Sequence, residues 1–334
     1  MAQIHVIDTT LRDGSHAVSH SYSPDQVRTI AGALNQCGLD IIEVSHGDGI
    51  SGSSYNYGFS KYPEEELIEA AAEVVHHAKL GILLLPGIGT VADLKRARAQ
   101  GVQAVRVATH CTEADVAAQH IRTAREMGMF AVGFLMMVHM IPPEKLAEQA
   151  KLMESYGAQY INLADSAGYL LPEDAAARVR AVKDAVDIPV GFHAHNNMSL
   201  AVANTLAAIE NGATYVDATL RGLGAGAGNC QLEVLAGVLK RKGLETSLDF
   251  YKLMDTAEMI VEPIMQRPQV IRNTPLMLGY AGVYSSFLLH VYRAAERFQV
   301  DPRDILVEIG RRGMVGGQED KIVEVAYLMT QNQK

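Results

Sequence analysis

Residues 4–36 read IHVIDTTLRDGSHAVSHSYSPDQVRTIAGALNQ, and this stretch contains one complete strand, loop and helix. The apolar run at 4–8 predicts a buried strand, because it is near-continuous, as strands covered on both faces are. Ser23 as N-cap and Pro24 at the first helical position predict a helix over 24–36. The polar loop between them carries acids, an arginine and glycine. The stretch is therefore typical of a repeating βα unit.

The same pattern of a short apolar run followed by a helical segment recurs along the chain. Further strands are predicted at 39–45, 80–86, 104–110, 130–137, 160–165, 190–195 and 215–220. Eight such repeats favour a (β/α)8 TIM barrel, which uses roughly 250 residues as one domain. An open, doubly wound sheet with an extra domain is the alternative that the pattern leaves open.

The alternation of strands and helices ends near residue 245. Helical patterns follow at 248–265, 285–298, 302–311 and 320–331. We therefore expect two domains, a catalytic TIM barrel at 1–245 and a small α-helical C-terminal domain at 246–334. The second domain is expected to contribute to the site and to offer a docking surface for a partner.

Composition excludes several classes of protein. The net charge of −9 comes without a basic cluster, which argues against nucleic acid as a partner. The sequence has no apolar run of 18 residues or more and no signal-peptide pattern at its start. Cys37, Cys111 and Cys230 stand too far apart for a disulfide framework or a zinc spacing. We expect a cytoplasmic protein that crosses no membrane.

Two short segments carry residues suited to a metal. The first, DTTLRDG at 8–14, lies in a βα loop, and such loops form the active face of a TIM barrel. The second, GFHAHNN at 191–197, places His193 and His195 on one side of a strand. Two buried imidazoles are costly unless both are satisfied, and a metal satisfies them directly. The alternative is a pair of hydrogen-bonded core histidines.

Asp13 supplies a carboxylate to this pair. Two histidines and one carboxylate leave positions of an octahedral ion open, which suits Mn, Mg, Co or Fe(II) better than structural zinc. Open positions suit a 2-oxo acid, which chelates through its carboxylate and keto oxygens. Iron oxygenases use the same ligand set, so the metal site alone leaves the reaction open.

The motifs DTTLRDG, HAHN at 193–196 and GLGAGAGN at 222–229 together resemble the lyase and synthase superfamily of metal-dependent barrels, which includes hydroxymethylglutaryl-CoA lyase and isopropylmalate synthase. Within it the chain resembles the 4-hydroxy-2-oxovalerate aldolase family. The supporting stretches are EVSHGDG at 43–49, LLPGIGT at 84–90, VRVATHCTEAD at 105–115, LGYAGVYSSF at 278–287 and MVGGQED at 314–320. The resemblance runs from residue 4 to about 326. Position 196 departs from the resemblance, because this chain has asparagine where many members carry histidine. We expect Asn196 to adjust the properties of the metal ligands without binding the metal itself.

The resemblance implies a divalent-metal-dependent class II pyruvate aldolase. Such an enzyme cleaves 4-hydroxy-2-oxopentanoate, or a close homologue, to pyruvate and acetaldehyde through a pyruvate enolate. It also implies that Asp13, His193 and His195 bind the metal, with Mn²⁺ expected first and Co²⁺ or Mg²⁺ as alternatives. Asp13 and His193 are also expected to lie against the substrate. No lysine stands at the strand ends, so a Schiff base is not needed.

The same resemblance implies the remaining roles. Arg12 would bind the substrate and stabilise the enolate, as a fixed cation aimed at developing charge does. His16 would be the general base, and imidazole titrates near neutrality as that role requires. Ser166 would hydrogen-bond the pyruvate carboxylate, and Tyr284, from the C-terminal domain, would contact the 4-hydroxyl.

Leu83 and Leu85 are two residues apart on the third predicted strand and share a face. If this face points inward near the mouth of the barrel, these side chains border the pocket for the aldehyde end of the substrate. Barrel interiors are packed with branched residues, so plain core packing is the alternative.

The resemblance further implies an acylating acetaldehyde dehydrogenase as a partner in a channelling complex, within aromatic hydrocarbon catabolism. Two other functions compete. One is a Claisen-type acyl-CoA lyase or synthase, but the segment 224–229 has no cysteine of the kind found in the lyase. The other is a non-catalytic interaction protein on a barrel scaffold, and the complete set of polar site residues argues against it.

Overall fold

A computed structural model of the protein describes residues 3–332. Eight parallel strands form a closed barrel in which each strand pairs with the next in sequence and β8 pairs with β1. The strands are β1 His5–Leu11, β2 Ile41–Val44, β3 Lys79–Leu84, β4 Ala104–His110, β5 Phe130–Met136, β6 Ile161–Asp165, β7 Val190–Ala194 and β8 Tyr215–Ala218. The closed order confirms the TIM barrel and excludes the open sheet.

Helices follow the strands and cover the barrel. They are α1 Pro24–Leu34, α2 Glu64–Ala72, α3 Val91–Ala99, α4 Ala118–Glu126, α5 Pro143–Ser155, α6 Pro172–Lys183, α7 Ala201–Glu210 and α8 Leu232–Lys242. At the start of α1, the Ser23 hydroxyl accepts the amide hydrogen of Gln26 and the Gln26 side chain accepts that of Ser23. This capping box fixes the N-terminus of the helix where the sequence predicted it.

The chain after the barrel is helical, as expected. It contains α9 Phe250–Asp255, a π-helical turn Thr256–Val261, α10 Asn273–Ala281, α11 Leu288–Phe298, α12 Pro302–Arg311 and α13 Glu319–Asn332. Leu253, Ala257 and Val261 pack into the barrel's apolar core. A separate apolar core begins at Leu278 and includes residues of α11, α12 and α13. The segment up to Val261 therefore packs with the barrel, and the separate apolar core begins only at Leu278, beyond the predicted boundary at residue 245.

Two sequence expectations missed local detail. The segment 248–265 was expected to be one helix, but it changes from α to π and then 3-10 geometry before Met265. Helix α10 was not predicted, because Pro275 and two glycines within and after it obscure its periodicity. Between residues 3 and 332, no helix is both long and apolar enough to cross a membrane.

Candidate metal centre and active site

Asp13, His193 and His195 meet at the carboxyl ends of β1 and β7. One ligand atom from each lies within 4.8 Å of the others, and all three side chains are buried. The His193 Nε2 atom lies 3.7 Å from Oδ2 of Asp13, and the His195 Nε2 atom lies 3.8 Å from the same oxygen. Imidazole nitrogens facing a carboxylate at this separation leave space for one ion between them. The fold thus brings together the three residues expected to hold the metal.

The orientation of His193 is fixed by a hydrogen bond on the side of its ring that faces away from Asp13. Its Nδ1 atom lies 2.9 Å from Oδ2 of Asp217, a buried carboxylate on β8. Since the carboxylate accepts the Nδ1 hydrogen, the lone pair of the imidazole is on Nε2, which faces Asp13. A carboxylate behind a histidine in this way is the usual support of a metal ligand. The residues present therefore fit a divalent ion.

The charge states of the cluster also suit a metal. Burial alone raises the pKa of Asp13, but Arg12, His195 and His193 nearby bring it well below its ordinary value. Burial lowers the pKa of His195 to about 4. The cluster at neutral pH therefore contains an ionised carboxylate and an uncharged His195, which are the forms that bind metals.

The loop after β8 closes over Asp13. The Ala225 amide donates a hydrogen bond of 3.1 Å to Oδ1 of Asp13. A β-carbon on Gly224 would lie 2.9 Å from the same oxygen and 2.5 Å from Nδ2 of Asn229. The glycine-rich segment is thus in direct contact with the carboxylate. The side chain of Asn196, which follows His195, accepts the Ala201 amide hydrogen at 3.2 Å.

Arg12 is buried beside the metal cluster. Its Nη1 atom donates to Asp13 at 2.7 Å, and its Nε atom donates to Glu43 at 3.0 Å. Its Nη2 atom is buried and has no hydrogen-bond partner among the described residues. A buried guanidinium N–H without an acceptor is costly. The unused donor is available to an anionic ligand at the metal cluster.

His16 lies on the 3-10 turn Asp13–Val18, which directly follows Arg12. Its Nε2 atom lies 3.8 Å from Oδ2 of Asp48. The ring is pressed against the backbone of Gly47, where a β-carbon would lie 2.3 Å from Nε2. The imidazole is therefore partly buried and held between the β1 and β2 loops.

Ser166 and Tyr284 are brought close by one short link between the domains. The hydroxyl of Ser285 donates to the Ser166 carbonyl at 2.8 Å, which places Tyr284 beside the end of β6. The Ser166 hydroxyl accepts the Met137 amide hydrogen at 3.1 Å. The Tyr284 hydroxyl lies 3.9 Å from the sulfur of Met136.

A cavity of about 290 Å³ opens between the barrel mouth and the C-terminal domain. Asp48 and Tyr284 line it, together with Leu85, Met136 and, from the C-terminal domain, Gly316, Gly317 and Glu319. Leu83 and Leu85 share an apolar cluster with Ala108 and Phe134, so they do face the same side. Leu85 lines the cavity, whereas Leu83 is buried and does not.

Sequence reasoning missed three acids. Glu43 and Asp217 are buried inside the barrel, and Asp48 stands at the cavity beside His16. A signal was present for the first two, because a carboxylate within an apolar strand such as IIEV or YVDA is expensive to bury. Nothing local distinguished Asp48 from an ordinary loop acid.

Comparisons with known proteins identify the family to which the chain belongs. Residues 3–260 match the HMGL-like family, and residues 269–331 match the DmpG-like communication domain. A 4-hydroxy-2-oxovalerate aldolase of Moorella thermoacetica is 66% identical over 98% of this chain and 97% of its own. One from Carboxydothermus hydrogenoformans is 60% identical over 99% of both.

Among solved structures, the carboxyl transferase domain of Rhizobium etli pyruvate carboxylase superposes with a TM-score of 0.83 at 17% identity, over 99% of this chain and 60% of that one. This likeness concerns the fold alone. The two family matches and the near-full-length relatives show that the chain belongs to the HMGL-like family and, within it, to the 4-hydroxy-2-oxovalerate aldolases.

Proposed function

We propose that the protein is a divalent-metal-dependent class II pyruvate aldolase that cleaves 4-hydroxy-2-oxopentanoate, or a close homologue, to pyruvate and acetaldehyde. The observation that carries the proposal is the buried cluster of Asp13, His193 and His195, with the unpaired Nη2 of Arg12 on one side and His16 nearby. This arrangement offers a chelation site, a cation and a base to one small substrate.

Asp13, His193 and His195 would hold the ion, and Mn²⁺ is proposed first, with Co²⁺ or Mg²⁺ as substitutes, because carboxylate and imidazole suit these ions. When bound, the metal would supply Lewis acidity to the 2-oxo acid. Asp13 and His193 would therefore also border the substrate. Asp217 keeps the Nδ1 hydrogen of His193 in place through this chemistry.

His16 is the proposed base. It takes the proton of the 4-hydroxyl, the C3–C4 bond breaks, and the aldehyde carbonyl forms as the bonding electron pair passes to C3. Asp48, at 3.8 Å from the imidazole, stabilises the imidazolium that results. A water then gives a proton to C3 to complete pyruvate, and the imidazolium of His16 returns its proton to the solvent. Arg12 Nη2 opposes the negative charge on the enolate oxygen, a charge that exists mainly after bond breaking begins.

Ser166 and Tyr284 are proposed to orient the substrate. The Ser166 hydroxyl accepts the Met137 amide hydrogen and makes only a long contact of 3.5 Å to the Ala164 carbonyl, so it would turn its own hydrogen to the pyruvate carboxylate. Tyr284 would contact the 4-hydroxyl. In support, burial raises the pKa of this phenol, and Asp48 raises it further, so the phenol keeps its hydrogen and can donate. Leu85 would border the methyl end of the aldehyde, with Leu83 behind it.

The C-terminal region, residues 246–334 in our division, is proposed to dock an acylating acetaldehyde dehydrogenase that receives the aldehyde through a channel. Two observations support this. Residues 269–331 match the DmpG-like communication domain, and Gly316, Gly317 and Glu319 of that domain line the cavity that begins at Asp48. A volatile, reactive product gives such a transfer a purpose.

We further propose a cytoplasmic setting within aromatic hydrocarbon catabolism. The three cysteines are buried free thiols, as is usual in a reducing compartment. The Claisen-type alternative receives no support from Cys230, the cysteine next to the glycine-rich loop. It is buried, and burial raises its pKa to about 12, so its thiol is a poor acid or nucleophile.

The test is pyruvate release from 4-hydroxy-2-oxopentanoate. Activity should vanish in EDTA and return with Mn²⁺. His195→Ala should lose bound metal and activity together, while His77→Ala, an exposed histidine far from the cluster, should retain both. Full turnover by metal-free protein would show that the assignment is wrong.

A further inference from the structure

The interior of the barrel contains a layer of polar side chains directly below the metal cluster. Alternate strands β2, β4, β6 and β8 contribute Glu43, Arg106, Asn162 and Asp217, and all four are buried. Layers of four side chains from alternate strands are a regular feature of TIM barrels, but bulky branched residues usually fill them. Burying charges instead is expensive unless every one is paired.

Arg106 stands at the centre of this layer. Its Nε and Nη2 atoms each donate to one oxygen of Glu43 at 2.6 Å, and its Nη1 atom donates to Asp217. The guanidinium also lies 4.7 Å from the ring centroid of Phe134, which covers one of its faces. One planar cation thus holds two carboxylates apart at fixed positions.

On each carboxylate one oxygen accepts from both Arg106 and a residue of the site, Oε2 on Glu43 and Oδ2 on Asp217. Glu43 accepts from Nε of Arg12 at 3.0 Å, and Asp217 accepts from Nδ1 of His193 at 2.9 Å. The result is a continuous buried chain of hydrogen bonds from Arg12 through Glu43, Arg106 and Asp217 to His193. It joins the cation of the site, just after β1, to a ligand of the metal cluster on β7.

We propose that Arg106 is a positioning residue that sets the Arg12 guanidinium through Glu43 and the His193 imidazole through Asp217. The roles of Arg12 and His193 rest on the proposed function. An apolar layer would fill the same space at lower cost in free energy. We therefore attribute the charged layer to its role in holding Arg12 and His193 in position. Lysine could not replace Arg106, because one ammonium cannot reproduce the three-point fork between two carboxylates.

The two halves of this hydrogen-bond network predict different defects, because Glu43 contacts Arg12 and Asp217 contacts His193. A general loss of stability would not separate the two defects. Asp217→Asn should weaken Mn²⁺ binding to the metal-free chain by about 10- to 100-fold, as loss of such support behind a metal-binding histidine does. Glu43→Gln should keep Mn²⁺ affinity and substrate KM but lower kcat by about 100-fold, because a small misplacement of Arg12 suffices. Arg106→Lys should show both defects.

Mn²⁺ affinity is measured by electron paramagnetic resonance or calorimetry with the metal alone, and kcat and KM by pyruvate release. Ile7→Val is the matched control, since Ile7 belongs to the apolar layer beneath and its side chain makes no hydrogen bond to any of these residues. It should lower the melting temperature and leave both readouts unchanged. Circular dichroism establishes that each variant is folded.

Wild-type Mn²⁺ affinity in Asp217→Asn would overturn the proposal. So would equal loss of Mn²⁺ affinity and kcat in Glu43→Gln, or a folded Arg106→Lys chain with both values intact. If Arg106→Lys does not fold, the proposal is tested by comparing the Mn²⁺ affinity and kcat of Glu43→Gln with those of Asp217→Asn. A wild-type protein that binds Mn²⁺ but releases no pyruvate would refute the proposed function. The Mn²⁺ affinity of Asp217→Asn would still test whether Asp217 positions His193.

Discussion

A β-carbon on Gly47 would lie 2.3 Å from Nε2 of His16, so the imidazole occupies space that only glycine leaves free. The ring rests on the β2 loop with its Nε2 atom 3.8 Å from Asp48. The position of the proposed base thus depends on a residue far from it in sequence that carries no functional group.

Gly47→Ala should therefore displace His16 without touching the metal ligands. We expect kcat to fall by about 100-fold, the cost of a displacement of about 1 Å in a reacting group. Mn²⁺ affinity should remain unchanged. Gly32→Ala in α1 is the control, because its added methyl group meets Val74 at an ordinary 3.7 Å. An unchanged kcat in Gly47→Ala would mean that the ring position is not critical.

Arg12→Lys should be nearly inactive. The three N–H donors of an ammonium share one nitrogen, so they cannot reach Asp13, Glu43 and the substrate from the separate positions of Nη1, Nε and Nη2. The loss should appear in kcat far more than in KM, because the opposed charge develops mainly in the transition state. Steady-state kinetics of pyruvate release measures both. A near wild-type kcat would remove Arg12 from the mechanism.

His16→Ala should separate two reactions. Aldol cleavage should slow strongly, since the 4-hydroxyl proton loses its acceptor. Proton exchange at C3 of pyruvate should stay measurable, because it needs the metal and Arg12 but no base at the 4-hydroxyl. Cleavage is followed by pyruvate release, and exchange by loss of the methyl signal in D₂O. Equal loss of the two rates would give His16 a wider role.

Leu85→Ala and Leu83→Ala should differ, because only Leu85 lines the cavity. Leu85→Ala should shift the relative kcat/KM for long against short aldehydes by about tenfold, which is within the range for one apolar pocket contact. Leu83→Ala should mainly destabilise the barrel, by on the order of 2–5 kcal/mol. Thermal melts and a series of 4-hydroxy-2-oxo acids distinguish the effects. An early melt with an unchanged substrate ranking in both variants would exclude a pocket role.

Asp165→Asn should change how stability depends on pH. Burial raises the pKa of Asp165 to about 7, despite hydrogen bonds from the amides of Tyr169 and Leu170. The folded chain thus holds this proton more tightly than the unfolded chain. Its contribution is present below pH ~4 and is lost as the pH rises to ~7.

The free energy of unfolding of the variant, measured by urea titration in EDTA, should therefore fall less steeply between pH 4.5 and 7 than that of the wild type. Because asparagine has only one acceptor oxygen, the variant should also be less stable throughout. Parallel curves for the two proteins would show that Asp165 does not titrate in this window.

Local patterns were sufficient to predict the barrel and to select candidate metal ligands. The repeated apolar runs predicted eight strands, because strand burial depends on neighbouring residues. The predicted bounds of β4 are the observed ones. Helix capping also depends on neighbouring residues. The spacing of His193 and His195 placed them on one face for the same reason. The ends of strands were less accurate, and α10 was missed, since proline and glycine within a helix hide its periodicity.

The sequence was thus enough to predict the barrel and the shared face of His193 and His195, because these features depend on residues adjacent or two to four apart. The polar segment that starts at Asp8 was predicted as loop, but its first four residues belong to β1. Which distant groups support these residues depends on the tertiary structure. Glu43, Arg106 and Asp217 come from three strands and meet because the barrel closes, and Asp48 reaches His16 because two loops share one rim. Electrostatic contacts depend on distance in space, and only folding sets that distance for residues far apart in sequence.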